Sequence, residues 1–248
     1  MITFNRQKLI AMLFAGCVVI GSTWLLAKGI INFRSGEPKI NVTGMAEKQI
    51  TSDLIVWNVT ANSEGYTRSE AYAEYKHTAR QIKNYLQRHG ISGKELEVSS
   101  VNISASTEEV YDKDRGSYVT VNKGFSASQT FTVTSKNLPK IERAYQEINE
   151  LYDMGLDFNS DAPLYYYTKL NDLKMQMLKE ASSNAYERAK TIAEGSDASV
   201  GALLASSMGV FQIVGLNSDE EYSWGGTFNT SSKEKTASIT VKATYKVK

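Results

Sequence analysis

The chain has 248 residues, 42% of them apolar and 22% charged, with 28 Lys and Arg against 27 Asp and Glu. A formal net charge of +1 gives no basic field to attract nucleic acid, while one Cys and two His exclude a disulfide framework and any Cys-cluster metal site. Three prolines and no low-complexity tract mark a chain folded along most of its length, with room for one ordinary domain or two small ones.

In chain order, a short N-terminal segment, residues 1–8, carries Arg6 and Lys8. Residues 9–27, LIAMLFAGCVVIGSTWLLA, then run without a charge from Leu9 to Ala27, with Trp24 placed for an interfacial position. As a helix, 19 such residues span roughly 28 Å, close to a bilayer's hydrocarbon thickness. The segment 9–31 therefore predicts a transmembrane anchor, longer than the apolar stretch of an ordinary signal peptide and lacking a clear small-x-small cleavage site. Two alternatives stay open: a cleaved signal segment, and a lipoprotein-type box, Phe14-Ala15-Gly16-Cys17, with Cys17 acylated. Residues 32–38, with Gly36 and Pro38, read as a linker to an exported domain over 39–248.

That domain opens with two predicted strands. Ile40, Val42 and Gly44 alternate with polar neighbours, and 54–60, LIVWNVT, is rich in β-branched and aromatic residues. From Arg68 to His89 the period becomes helical, with Tyr72, Tyr75, Ala79, Ile82 and Leu86 on one face and Gly90 placed to end the helix. Strands are predicted around 96–105 and 125–135, joined by a polar hairpin whose turn is Asp112-Lys113-Asp114-Arg115-Gly116. A second helix starts at the N-cap Asn137 with Pro139 in its first turn and stops at Gly155. A short strand over 156–167 leads to the longest helix, 170–194, with the stripe Leu170, Leu178, Ala181, Ala185, Ala189 and Ile192. Strands over 203–214 and 237–247 close the chain around a polar stretch, 215–233, that holds Tyr222, Trp224 and Phe228 exposed. Hairpins paired with helices, without strict strand–helix alternation, predict an α+β fold: mostly antiparallel sheet with about three helices packed on it, preceded by one N-terminal transmembrane helix.

The chemistry-bearing residues are sparse. His77 and His89 are 12 residues apart on one helix, about 120° from each other, and cannot share a ligand face. No nucleophile elbow, phosphate-binding loop or dinucleotide fingerprint is present. Glu108, Glu109, Asp112 and Asp114 in the predicted hairpin, and Asp219, Glu220 and Glu221 in the stretch 215–233, fall in loops where solvated turn charge explains them; a carboxylate pair for hydrolysis or a calcium site is the functional alternative. The residues point to no catalytic group, no metal and no cofactor. Tyr166, Tyr222, Trp224 and Phe228 are the candidate interface or ligand surface. Sequons at Asn41, Asn58, Asn102 and Asn229 are what an Asn- and Thr-rich β protein carries by chance.

Six segments in order carry a resemblance: VTGMAE at 42–47, SDLIVWNVTANSEGYTRSEAYAE at 52–74, GISGKELEVSSVNIS at 90–104, GFSASQTFTVTSKNLPKI at 124–141, AYERAKTIAEGSDASVGALLASS at 185–207 and ASITVKATYKV at 237–247. Together they resemble the SIMPL-domain proteins of bacterial envelopes over residues 39–248. The resemblance implies an α+β domain on the envelope-facing side, in a family that includes a periplasmic protein forming channel-like homo-oligomers and one linked to oxidative-stress defence. It implies no catalytic residues. The resulting expectation is a non-enzymatic protein of the bacterial inner membrane, single-pass, with its C-terminal domain in the periplasm. It would self-associate as a scaffold or stress-protective assembly, with the membrane and further copies of itself as partners and no nucleic acid. The alternatives are an envelope binding module for a peptide, glycan or small ligand, and the carboxylate-dependent hydrolase.

Overall fold

A computed structural model describes residues 6–34, 38–221 and 223–248, with side chains of the first segment described over 14–29. That segment is one helix, α1 (Arg6–Arg34). Trp24 is 61% exposed on it and Ala27 is exposed, while the side chain of Leu9 lies outside the described residues. Among the described residues no helix is long and apolar enough to cross a membrane. The expected transmembrane helix is therefore not shown.

The rest alternates strands and helices: β1 (Lys39–Thr51), β2 (Leu54–Gly65), α2 (Arg68–Arg88), β3 (Leu96–Val98), β4 (Asn102–Asp112), β5 (Ser117–Ser135), α3 (Leu138–Glu147), α4 (Glu150–Asp153), β6 (Phe158–Ser160), β7 (Leu164–Tyr166), α5 (Leu170–Glu194), β8 (Val200–Met208), β9 (Gln212–Gly215) and β10 (Glu234–Val247). One sheet has the order β1-β10-β8, with β9 also on β10; the other has the order β3-β5-β2-β6, with β4 on β5 and β7 on β2. The α+β class is as expected from the mix of hairpins and helices. The chain divides into two compact units, 45–181 with 209–240, and 1–44 with 182–208 and 241–248.

The larger unit is built on the β2–β5 pairing, antiparallel from Ile55 opposite Ser135 to Gly65 opposite Phe125. Period-two alternation sends Ile55, Trp57, Val59 and Ala61 to one face, where they meet Phe131 and Val133 of β5 and the helices α2 and α3. Thr67 caps α2 with a reciprocal box: its hydroxyl accepts from the Glu70 amide while the Glu70 carboxylate accepts from the Thr67 amide. The buried face of α2 is Ala71, Tyr75, Thr78, Ile82, Tyr85 and Leu86. Tyr72, expected on that face, is 42% exposed and stacks on Tyr75 instead, because the sheet selects the stripe one residue around the helix. The expected strand 96–105 is broken into β3 and β4 at residues 99–101, where the Ser99 hydroxyl accepts from the Thr130 amide. Asn137 caps α3 as expected, its side chain accepting from the Lys140 amide. The expected strand 156–167 is likewise two short strands, β6 and β7.

In the smaller unit Ala185 and Ala189 of α5 pack on Val42, Ala243 and Tyr245. The fully buried positions of α5 recur every four residues, Leu173, Met177, Ala181, Ala185, Ala189 and Ala193. Leu170 and Leu178 are only half-buried and Ile192 is 51% exposed, so three of the six expected stripe residues lie off the buried row. The three alanines of the stripe are buried, as their small size allows, while Leu173 and Met177 take the places in the row that the stripe gave to Leu170 and Leu178. The expected strand 203–214 is two strands, β8 and β9, separated at Gly209, where a Cβ would come within 2.2 Å of the Thr240 hydroxyl.

Candidate functional site

The candidate surface centres on the loop 215–233 between β9 and β10. The loop is polar in composition, and its polar side chains fasten it. Lys235, on β10, is 2% exposed, and its ammonium donates to the Asn229 carbonyl at 2.8 Å, to Asn229 Oδ1 at 3.2 Å and to the Ser232 carbonyl. Three acceptors match three protons, which is the condition for burying an ammonium. Burial still pushes the Lys235 pKa down to about 8, with the Glu220 carboxylate opposing the shift.

Glu220 ties the loop's first half to its second. Its carboxylate accepts from the Gly215 amide at 2.9 Å and from Asn229 Nδ2 at 2.6 Å, and these bonds hold its pKa below the usual carboxylate value. Asn229 is therefore buried between Glu220 and Lys235, which removes its sequon from consideration as a glycan site. The β9 residue Gln212 performs the same service for the turn 223–227. Its Nε2 donates to the Ser223 carbonyl and its Oε1 accepts from the Thr227 amide, both at 2.6 Å.

Bracketed by Gln212, Trp224 stands wholly exposed, 100% accessible. It forms the rim of an open groove of about 380 Å³ whose apolar wall is Met45, Val210 and Ile239, with Gln212, Ser238 and Thr240 beside them. Gly226 lies behind the turn at φ +95°, where a Cβ would sit 3.0 Å from the Phe211 carbonyl. Phe228, 49% exposed, bridges to Ile213, and the Lys174 ammonium lies 5.3 Å from the Phe211 ring and 5.5 Å from the Phe228 ring. Lys174 was missed from sequence; it sits off the apolar stripe of α5, and nothing local signals that two rings converge on it.

Of the four surface residues expected, the structure gathers Trp224 and Phe228 on one loop. Tyr166, 37% exposed, is on β7, where its carbonyl accepts from the Asp53 amide, and it does not line the groove. Tyr222 lies outside the described residues. Gln212 and Lys235 also escaped the sequence reading, and Glu220 and Asn229 entered it only as solvated loop charge and as a chance sequon, since each is an ordinary polar residue whose role depends on how the loop folds back on itself.

The other chemistry-bearing residues have local partners. His89 caps α2, its ring within 3.0 Å of the Tyr85 carbonyl and 2.9 Å of the Glu147 carboxylate, and His77 is exposed. Asp112 accepts from the amides of Asp114 and Arg115 in its hairpin turn, and Glu108 pairs with Lys123 at 3.1 Å. Among the described residues no group of three His, Cys, Asp or Glu is arranged to hold a metal ion.

The sequence matches the SIMPL family, described as a protein of unknown function (DUF541), over residues 40–247. The chain belongs to the SIMPL family. Within it, a 26 kDa periplasmic immunogenic protein of Brucella melitensis biotype 1 is 23% identical over 202 residues, covering 79% of this chain and 77% of that one. Its counterpart in Brucella abortus strain S19 is 22% identical over the same shares. Among solved structures, the de novo designed protein Foldit4 aligns with 44% of this chain and 93% of its own at 12% identity, but a TM-score of 0.19 carries no argument. The SIMPL match covers β1 through β10 and thus includes the fastened loop, while α1 precedes it.

Proposed function

We propose that this SIMPL protein is a non-enzymatic, membrane-anchored component of the bacterial envelope that self-associates into a scaffold or stress-protective assembly, with its domain in the periplasm. The observation that carries the reading is Trp224. The turn that carries this exposed indole is fastened by the buried Gln212, which donates to the Ser223 carbonyl and accepts from the Thr227 amide, so the turn presents Trp224 to water. Aromatic side chains in that state are the usual anchors of protein contacts, where covering one removes well over 100 Å² of apolar surface from water. The periplasmic naming of the Brucella relatives supports the compartment. The uncharged run 9–27 in α1 supports the anchor.

The mass of the full chain in detergent micelles, by light scattering after size exclusion, tests this. A discrete multimer is expected, weakened by Trp224→Ala; a monomer at every concentration overturns it.

A second reading is favoured by the groove itself. At about 380 Å³ with an apolar wall, it suits the hydrophobic end of a small envelope ligand or peptide side chain. A thermal-shift screen of apolar ligands against wild type and Ile239→Asn checks it. Stabilisation confined to the wild type supports binding; no stabilisation by any compound removes it.

A further inference from the structure

The β4–β5 hairpin extends beyond the sheet that carries it. Pairing of β5 with β2 stops at Gly65 opposite Phe125, while pairing with β4 continues from Ala105 opposite Phe125 to Asp112 opposite Ser117. Residues 106–123 are thus a two-stranded arm. It leaves the body at a bulge, where Ser106 faces Gly124 and Thr107 faces Asn122. Gly124 is required there: at φ +122° its absent Cβ would lie 2.3 Å from the Gly65 carbonyl oxygen.

A hairpin without a third strand is marginal in water. This one exposes apolar side chains as well: Val110 is 44% exposed, Val121 39%, Tyr111 51% and Tyr118 69%. Cross-strand pairing puts Val110, Val119 and Val121 on one face, and Tyr111 opposite Tyr118 on the other with ring centroids 5.3 Å apart. Among the described residues the far edge of 117–123 pairs with no other strand.

We infer that the arm is a self-association element in which the free β5 edge, 118–122, pairs antiparallel with the same edge of a second copy about Thr120. The inference rests on the self-association proposed above and adds to it a contact separate from the one at Trp224.

Charge selects both the edge and the occupant. Two antiparallel edges related by a two-fold axis through Thr120 place Val119 opposite the second copy's Val121 and Tyr118 opposite its Asn122, and 118–122 contains no charge. The opposite edge of the arm behaves otherwise. Self-pairing of β4 about Glu108, Glu109 or Val110 sets carboxylates against each other, which destabilises a strand pair. Strand β8 also ends a sheet, but its pairing with β10 carries two register shifts, a device that twists an edge away from further pairing. The joined arms make a four-stranded antiparallel sheet with the valines of both copies on one face.

Disulfide trapping of the full chain in detergent tests this, in a Cys17→Ser background that removes the native thiol. Thr120→Cys should cross-link as a covalent dimer, since Thr120 faces itself. Tyr118→Cys alone should not, because its counterpart lies about 13 Å away along the strand, whereas Tyr118→Cys/Asn122→Cys should. Val119→Lys/Val121→Lys should at least halve the assembly mass, and mixing it with Val119→Glu/Val121→Glu should restore the mass. Equal cross-linking at Tyr118 and Thr120, or a multimer indifferent to the lysines, overturns the arm contact while leaving self-association standing. A wild-type monomer overturns both.

Discussion

At the residue scale, Lys235 shows what the loop costs to hold. Its pKa, about 8 in the folded protein against 10.5 unperturbed, means that the folded state sheds this proton before the unfolded chain does. Between those values the unfolded state binds more protons, so stability from this group rises with pH; the burial penalty is full below pH 8 and relieved toward 10.5. Lys235→Met leaves the Asn229 and Ser232 carbonyls without their donor but removes the titration. The stability of wild type relative to that variant is therefore expected to rise from pH 7 to pH 10, measured by urea unfolding of both proteins. A flat difference would remove the burial account. Glu220 has the opposite sign: its lowered pKa gives stability present above its unfolded value and lost as pH falls through the folded one. Glu220→Gln should accordingly cost more at pH 7 than at pH 3 in the same measurement. Gln212→Ala should release the turn 223–227, seen as faster motion of an indole reporter at Trp224.

At the scale of elements, two local devices decide whether a helix and a hairpin form where the pattern puts them. The capping box at Thr67 satisfies amides at the start of α2, so Thr67→Ala is expected to cost about 1 kcal/mol by chemical denaturation. A much smaller loss would show that tertiary packing alone holds that end. The alanine row of α5 sets the spacing of helix to sheet in the smaller unit, where Ala185 and Ala189 are fully buried. Ala189→Leu should destabilise by roughly 1–3 kcal/mol through overpacking, and a neutral result would mean that the contact with Val42 and Tyr245 yields. For the arm, Gly124→Val should disorder 106–123 while leaving the β2–β5 core intact, read as lost amide protection confined to the arm.

For the molecule as a whole, the proposed anchor and the proposed assembly would reinforce each other. A chain tethered at α1 is concentrated on a surface, where a weak contact such as two five-residue strand edges gains from proximity. The native protein is expected to stay with the membrane fraction through an alkaline carbonate wash, as an integral protein does; release into the supernatant would count against the anchor. Concentration-dependent mass in micelles would then report the strength of the contact between copies.

What the sequence determined by itself is the set of elements with strong local signals. Alternation marked β2 and β10, Gly90 and the N-cap Asn137 marked helix ends, and Asp112 to Gly116 marked a turn, because each depends on neighbours within a few residues. Tertiary structure decided which stripe of α2 and α5 is buried, since helical periodicity leaves the face free to rotate until a sheet meets it. It also decided that the loop 215–233 is fastened and that 106–123 projects. A lysine becomes a root only where three oxygens converge on it, and a strand edge is free only where its neighbour has ended. The free edge depends on Gly65 and Gly124, far apart in the chain, whereas the oxygens around Lys235 come from Asn229 and Ser232, six and three residues away, and converge on it only because the loop folds back, a conformation that no periodic pattern encodes.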